Sequence, residues 1–544
     1  MEMIIPTAWS TQCLAGASVG FLSHVLYFIR GYHDTQILSI LVTHITAFIA
    51  LSVSFGIWTA LILSSSYLIS LFTSIGIYRV FFHPLSRFPG PLAAKLSRFY
   101  GPYVARNGQM HIEQNKLFKQ YGDIVRTAPN ELMILSSAGI PPIHASKSGC
   151  RKRNAGVYNV IHYKGEYNLD SILDREEHRW RRQVWEKAMT TKCLANYETS
   201  TRSVCNTWLR KIASSEGKPI DTSLFSLLIT FDHMGKIGYS HDFGTVEAGK
   251  ENRMLDLLEV MFGQIGQLGE LTWPIALMKS LGVGGEAAEF DALACQMADG
   301  RLEAQGKEDK EFGDIFEQFI RDFESEKPTA FFNKNILYSD AALILVGATD
   351  TIAVVLSYAF YHLAKHPEHQ EKLHEEVSAV FGKTIPGEFT QADLANLEFL
   401  EAVINETMRL DNPVCNNGNR TTPPEGIMVE GIWIPGGVSV RVPGYGLHRS
   451  ERAFVRPDDF ILERWTSKPE YILDRSAFFP FLVGPNNCVG KRVAMMVLRL
   501  VLSYTVQNYR FQFAPGEDGT AIYKEARNNL ILKAGPLKVV FEKR

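Results

Sequence analysis

The pattern of apolar and polar positions divides this chain into two unequal parts. No Asp, Glu, Lys or Arg occurs between Glu2 and Arg30, and the stretch from Cys13 to Ile29 is almost long enough to cross a bilayer. From Thr35 to Tyr78 there is again no such charge, with His44 the only imidazole. A bilayer takes about 20 apolar residues per helix, so this second run has room for two. Its apolar length far exceeds the roughly 7–15 residues of a signal-peptide core, and no clear small-residue cleavage site comes after it. The pattern therefore predicts a retained membrane anchor over residues 1–80, with one to three transmembrane helices. Arg79, Arg87 and Lys95 come next, and the positive-inside tendency puts the remainder of the chain on the cytosolic side. On that side the sequons beginning at Asn405 and Asn419 stay unmodified.

At His83-Pro84-Leu-Ser-Arg-Phe-Pro89-Gly90-Pro91 three prolines fall within eight residues. Proline fixes φ and removes a donor, so no helix continues through here, and residues 81–100 read as a proline-rich hinge. From about Gly101 to the C-terminus the spacing is mainly helical. Strand signals appear near Ile124 to Ile134 and from Gly426 to Arg441, where turn residues punctuate β-branched runs. Asn335 to Lys365 and Lys491 to Asn508 are long apolar helix candidates. The expected fold is mainly α with small β-sheets, in one large domain over residues 101–544.

Composition narrows the chemistry. Lys plus Arg number 56 against 58 for Asp plus Glu, without the basic excess of a nucleic-acid binder, so no nucleic-acid partner is expected. Seven cysteines in 544 residues are too sparse and too scattered for a disulfide scaffold. No Gly-x-Gly-x-x-Gly offers a dinucleotide site. Around Gly484 to Lys491 five residues separate the glycines and Arg492 comes after the lysine, so the phosphate-loop pattern fails. No Cys-x-x-Cys or His-Glu-x-x-His supports a zinc site.

Cys488 stands apart, in Phe481-Leu-Val-Gly484-Pro-Asn486-Asn-Cys488-Val-Gly490, directly ahead of the helical pattern from Lys491. Glycines at minus four and plus two let the backbone pass close to a flat group. A helix N-terminus offers N–H donors and partial positive charge to an anionic sulfur, which favours the thiolate. A thiolate is a suitable axial ligand for haem iron. On chemistry alone an inert loop cysteine remains open.

This loop resembles the haem-binding signature of the cytochrome P450 superfamily, Phe-x-x-Gly-x-Arg-x-Cys-x-Gly, at Phe481, Gly484, Cys488 and Gly490. Asn486 departs where the family has Arg or His. Other motifs extend the same resemblance. Glu406-Thr-Met-Arg409 matches the Glu-x-x-Arg helix, and Arg464 matches the third member of that family's buried triad, a structural set. His178 and Arg182, four apart on one helix face, resemble the propionate-binding helix, and Arg420 matches an arginine beyond the Glu-x-x-Arg motif. Gly347-Ala-Thr-Asp350-Thr351 resembles the distal-helix motif, in which an acid and an alcohol deliver protons; Ala348 and Ile352 depart from it. The hinge is similar to that of filamentous-fungal members anchored in the endoplasmic reticulum, so the resemblance runs from about Tyr78 to the C-terminus.

The resemblance implies a haem b cofactor with Cys488 as its thiolate ligand, and a monooxygenase. Such an enzyme places one atom of O2 in a lipophilic small molecule and releases the other as water. It further implies electrons from a separate NADPH-cytochrome P450 reductase, cytochrome b5 as a possible second donor, docking near Lys491 and Arg492, and a role in fungal secondary metabolism. Two other readings stay open. One is a haem-thiolate isomerase or dehydratase independent of O2 and reductase; the other is a non-catalytic membrane haem protein. Substrate contacts are expected from the loop between about Asn154 and Asp170, from helices between Phe225 and Gly285, and from the distal helix.

Overall fold

The computed structural model describes residues 7–31, 33, 36–152, 158, 162–268, 271, 273–307 and 312–544. Helices α1 (Thr7–Ser23), α2 (Ile37–Phe55) and α3 (Ile57–Ile77) occupy the charge-free N-terminal stretches. No residue of α2 is buried, and an apolar helix with no covered face needs an apolar solvent. Glycines let α1 and α3 approach closely. A Cβ on Gly16 would lie 2.6 Å from the Leu63 carbonyl oxygen, and one on Gly20 2.3 Å from that of Tyr67. Farther along, His24 Nδ1 meets Ser74 Oγ at 2.7 Å. The contacts advance together along both helices, so α1 and α3 run parallel, with the small-residue packing common in membranes. Helix α2 runs the other way: His44 Nε2 reaches Tyr67 Oη at 3.1 Å across the turn at Gly56.

Helix α3 ends in a π-helical turn, Tyr78–Phe82, and His83 is extended at φ −66° and ψ 143°, as a residue ahead of proline must be. The proline segment is then fastened to the first strand. Arg126 N–H donates to the Pro89 carbonyl at 2.8 Å, and the buried Arg126 guanidinium donates to the carbonyls of Pro129 and Arg79. Leu85 and Phe88 enter a small core with Ile124, Leu132 and Val440.

The part after the proline segment is mostly helical: α4 (Arg175–Ala188), α5 (Thr191–Ser214), α6 (Thr222–Tyr239), α7 (Arg253–Leu268), α8 (Gly285–Lys307), α9 (Lys334–Lys365), α10 (Glu398–Leu410) and α11 (Lys491–Asn508), with shorter helices between them. Side chains cap several starts. Asp174 accepts from the N–H groups of Glu176 and Glu177, and Asn333 accepts from Ile336, each satisfying an orphan donor. Helix α9 is long and apolar enough to cross a membrane, yet it is buried on every side from Ile352 to Ala364, which makes it the central core helix.

The strands are β1 (Ile124–Ala128), β2 (Glu131–Ile134), β3 (Arg151–Lys152), β4 (Ile220–Asp221), β5 (Arg420–Thr421), β6 (Ile427–Val429), β7 (Ile432–Ile434), β8 (Ser439–Arg441), β9 (Tyr509–Phe513), β10 (Arg527–Asn529), β11 (Ile531–Lys533) and β12 (Lys538–Lys543). Five form one sheet in the order β1-β2-β8-β5-β3, and three form another, β4-β12-β9. Hairpins β6-β7 and β10-β11 stand separately. The expected mainly helical fold with small sheets is observed. Among the C-terminal strands β9 alternates apolar and polar residues over five positions, Tyr-Arg-Phe-Gln-Phe, whereas β10 and β11 are only three residues each.

Beside α11 lies a fully buried charge cluster. Glu406 Oε2 accepts from Arg409 Nε at 2.8 Å, and Oε1 from Arg464 Nε at 3.0 Å, with all three side chains fully buried. The Ile461 N–H and the Trp465 indole donate to the same carboxylate. Burial pushes the Glu406 carboxyl up, but the hydrogen bonds and charge of Arg409, then the charge of Arg464, outweigh it and hold the group below its usual range. Removing one member of a buried pair leaves an uncompensated charge, at about 3–5 kcal/mol. Glu406→Ala should therefore lower the urea midpoint of the purified protein sharply, whereas an exposed control pair, Arg456→Ala, should leave it within experimental scatter.

Candidate functional site

The Cys488 loop is pinned from both ends. Leu482 and Gly484 have φ of +57° and +75°, and a Cβ on Gly484 would fall 1.9 Å from the His144 carbonyl oxygen. Only glycine fits there. A single helical turn, Gly484–Asn486, comes next, and the Cys488 N–H donates back to the Phe481 carbonyl at 2.9 Å. Helix α11 starts three residues later, so the N–H groups of Gly490 and Lys491 point at the sulfur.

Cys488 keeps accessible surface, although enough protein surrounds it for burial to raise its thiol above the usual range, partly offset by the Gly490 and Lys491 N–H groups and by Arg182. Burial thus works against the N-terminal field that the sequence leads one to expect at this sulfur.

Cations converge on the loop. On α4, Arg182 donates to the Asn487 carbonyl at 2.5 Å and to its side-chain oxygen at 2.8 Å, and His178, one turn earlier, is buried. Arg420 on β5 pairs in register with Lys152 on β3. Burial, followed by the charges of Lys152, Arg182, Arg420 and Arg181, pushes His178 down to about 3. Burial also lowers Lys152 to about 8, with Asp170 opposing and Arg420 adding to the shift. His178 is then neutral, and the positive charge near the loop is that of the partly exposed Arg182 and the buried Lys152 and Arg420, which suits an anionic ligand. Asn486 adds no charge.

On α9 the helix is continuous through Gly347-Ala-Thr-Asp350-Thr351. Gly347 is exposed inside the fold, with nothing closer than 4.0 Å to its added Cβ. Thr351, one turn on, donates to the Gly347 carbonyl at 3.1 Å. Asp350 lies on a different face, in a cleft with Glu259 and Lys533. The acid and alcohol are therefore adjacent in the chain but look into different spaces.

Sequence reasoning missed Lys152, whose Nζ donates to the Leu169 and Asp170 carbonyls; only its strand pairing with Arg420 brings it to the cluster. It also missed Arg181, buried against Asp340 at 3.2 Å, with the Trp185 indole donating to the same carboxylate. Arg492 donates to the Met189 carbonyl and the Thr191 hydroxyl, which ties up much of the charge expected at a docking face. Part of the Asn154 to Asp170 loop lies outside the described residues.

Comparison with known proteins agrees with this geometry. The family profile described as Cytochrome P450 matches residues 89–541. The chain is 32% identical over 542 residues to "Cytochrome P450 monooxygenase FCK2" of Fusarium pseudograminearum, covering 97% of this chain and 96% of the relative. It is 32% identical to "Cytochrome P450 monooxygenase sthD" of Phaeosphaeria nodorum, covering 88% and 99%, and 30% identical to "Tryprostatin B 6-hydroxylase" of Aspergillus fumigatus, covering 89% and 85%. The chain belongs to the cytochrome P450 family and is a haem-thiolate monooxygenase, an oxidoreductase whose cofactor is haem iron with a cysteine thiolate ligand. Members draw on redox partners and act in general on lipophilic substrates.

The residues present fit that group, with an accessible sulfur ahead of a helix N-terminus, Arg182 held at the neighbouring Asn487 and open space at Gly347. The two loop glycines should respond differently. Gly484→Ala should abolish the folded state. Gly490 has φ −82° and an added Cβ would meet only Cys488 Sγ, at 3.9 Å, so Gly490→Ala should keep the wild-type melting temperature of the haem-free chain. The haem affinity of Gly490→Ala, measured by titration, should fall because its methyl intrudes on the flat group's side.

Proposed function

We propose that Cys488 is the axial ligand and that this chain is an endoplasmic-reticulum monooxygenase of fungal secondary metabolism acting on a lipophilic small molecule. The observation that carries the site is the Cys488 sulfur, which keeps accessible surface directly ahead of α11, with Arg182 held against the neighbouring Asn487. Haem iron with a thiolate ligand, when bound, supplies the oxygen-activating chemistry, with one atom of O2 entering the substrate and the other leaving as water.

The chain's own residues bind and orient. Phe481, Gly484 and Gly490 shape the loop and let a flat group approach. His178, Arg182 and Arg420, joined by Lys152, hold the two propionates, and Asn486 shifts more of that task onto them. Glu406, Arg409 and Arg464 fix the segment ahead of the loop. Thr351, whose Oγ donates to the Gly347 carbonyl, is the alcohol of the proton-delivering pair and Asp350, in the cleft with Glu259 and Lys533, its acid.

The anchor supports the location. Three helices running in alternating directions make an odd number of crossings, so the N-terminus lies in the lumen and the domain in the cytosol, in keeping with Arg79, Arg87 and Lys95 after α3. Electrons come from NADPH-cytochrome P450 reductase, with cytochrome b5 as an auxiliary donor, at the face where α11 begins. Lys491 is the freer of the two cations expected there. The relative named tryprostatin B 6-hydroxylase points toward hydroxylation as the reaction type.

The purified, reduced protein should give the red-shifted carbon-monoxide band of thiolate-ligated haem, and Cys488→Ser should lose it. Turnover that needs NADPH, reductase and O2 together sets this reading apart from an isomerase or an inert haem carrier; product formed without them would overturn it. Arg182→Ala and Arg420→Ala should each weaken haem retention, by about 10-fold for loss of one charge-assisted contact, read as faster transfer of haem to an acceptor protein.

A further inference from the structure

We propose that His366, Glu368 and His369, at the corner where α9 gives way to the helix Pro367–Ser378, form a binding site for a divalent transition-metal ion of the zinc class. The site is separate from the Cys488 loop and does not depend on how that loop is read.

The geometry comes from the corner itself. His366 ends α9, its N–H donating to the His362 carbonyl at 3.0 Å, and Pro367 takes the first position of the next helix. A proline there forces the residue before it out of the helical region, and His366 has φ −125° and ψ 77°. The turn thereby sets the His366 imidazole beside residues two and three further on. One possible ligand atom from each of His366, Glu368 and His369 lies within 4.8 Å of the other two. His366 Nδ1 and Glu368 Oε1 stand 3.3 Å apart. Zinc holds nitrogen and carboxylate oxygen at about 2.0–2.2 Å in a tetrahedron, whose edges are then about 3.3–3.6 Å. That pair already has the spacing of two ligands.

The imidazoles are also propped. The His366 and His369 ring centroids are 5.3 Å apart, and Phe460 lies against both, 6.0 Å from one and 6.2 Å from the other. His362, a turn earlier on α9, stacks on the same phenyl ring at 4.0 Å and bonds to Asp411. Rings held by packing lose less freedom when they bind an ion. His366 is half-buried and Glu368 is 65% exposed, so a metal can enter from solvent and keep water in its remaining position. The N-terminus of the second helix disfavours a cation, but the C-terminus of α9 favours one at the same corner, and Glu368 adds a full negative charge. Lys365 and Lys372 are engaged elsewhere, the first with the Tyr361 hydroxyl and the second over the Phe399 ring. Two imidazoles and one carboxylate suit zinc and its neighbours, whereas magnesium takes oxygen ligands. His-Pro-Glu-His is neither a Cys-x-x-Cys nor a His-Glu-x-x-His pattern; it gathers ligands because it spans a corner between helices.

The test uses the full-length haem-loaded protein in detergent, stripped of loose metal with a chelator and titrated with zinc chloride in a calorimeter. Zinc should bind at this site with one ion per chain, and magnesium chloride should give no heat of binding. X-ray absorption at the zinc edge, which the haem iron does not share, should show nitrogen and oxygen at about 2.0–2.2 Å and the scattering pattern of two imidazoles. His369→Ala and Glu368→Gln should each weaken zinc binding by more than the roughly 10-fold that loss of an outer partner costs. His374→Ala, on the same helix and outside the cluster, should bind as the unaltered protein does. Each variant should keep the carbon-monoxide band, which reports an intact fold; should His369→Ala lose it, the exposed Glu368→Gln carries the comparison. Unchanged zinc affinity in the ligand variants, sulfur in the zinc shell, or a shell without imidazole scattering overturns the site. Binding that needs millimolar zinc means an adventitious ion only and overturns it as well.

Discussion

The arrangement depends on one buried carboxylate. Glu406 accepts from Arg409, Arg464, Trp465 and the Ile461 N–H in a region with no access to water. A charge so placed persists only while every partner stays. The partners lie on segments far apart in sequence, so Glu406 fixes the path between α10 and α11. Arg409 extends the network by donating to the carbonyls of His448 and Pro457, while Arg464 donates to those of Val455 and Arg456. His448 in turn lies 3.3 Å from the Phe479 N–H, two residues ahead of Phe481. A continuous chain of hydrogen bonds therefore runs from the carboxylate to the start of the cysteine loop.

At its far end that loop is held by different physics. Gly484 is pressed against the His144 carbonyl, and Arg182 clamps Asn487 through two donors. Position is thereby set from three sides: the buried charges, the helix Ile140–His144 and α4. What remains open is the sulfur, at the start of α11. Rigid support around one exposed reactive atom is what a preorganised metal site requires.

Helix α9 presents its residues to different sides: Asp350 faces a cleft toward solvent, whereas Thr351 sits against the Gly347 carbonyl. The substitution of Ala348 and Ile352 into the distal pattern leaves this division intact, since neither supplies the hydroxyl or the carboxyl. The anchor is a separate solution to a separate constraint. Small residues bring α1 and α3 together where no hydrophobic effect favours association, and histidine-to-hydroxyl contacts add directionality.

Much of this was legible in the residues. Charge-free runs marked the anchor helices, prolines marked where α3 had to end, and the apolar stretches seen as α9 and α11 were bounded to within a residue. Short-range spacing also placed Glu406 beside Arg409 and His178 beside Arg182, because a helix turns every 3.6 residues. Spacing could not show that Lys152 joins Arg420, that Arg492 bonds to Met189 and Thr191, or that Asp350 faces the cleft with Lys533. Those contacts join positions tens to hundreds of residues apart. The direction of the Cys488 shift was hidden for the same reason: local sequence reports the helix N-terminus ahead of which the sulfur lies, whereas desolvation is a sum over everything packed around it, and only the folded chain decides that sum.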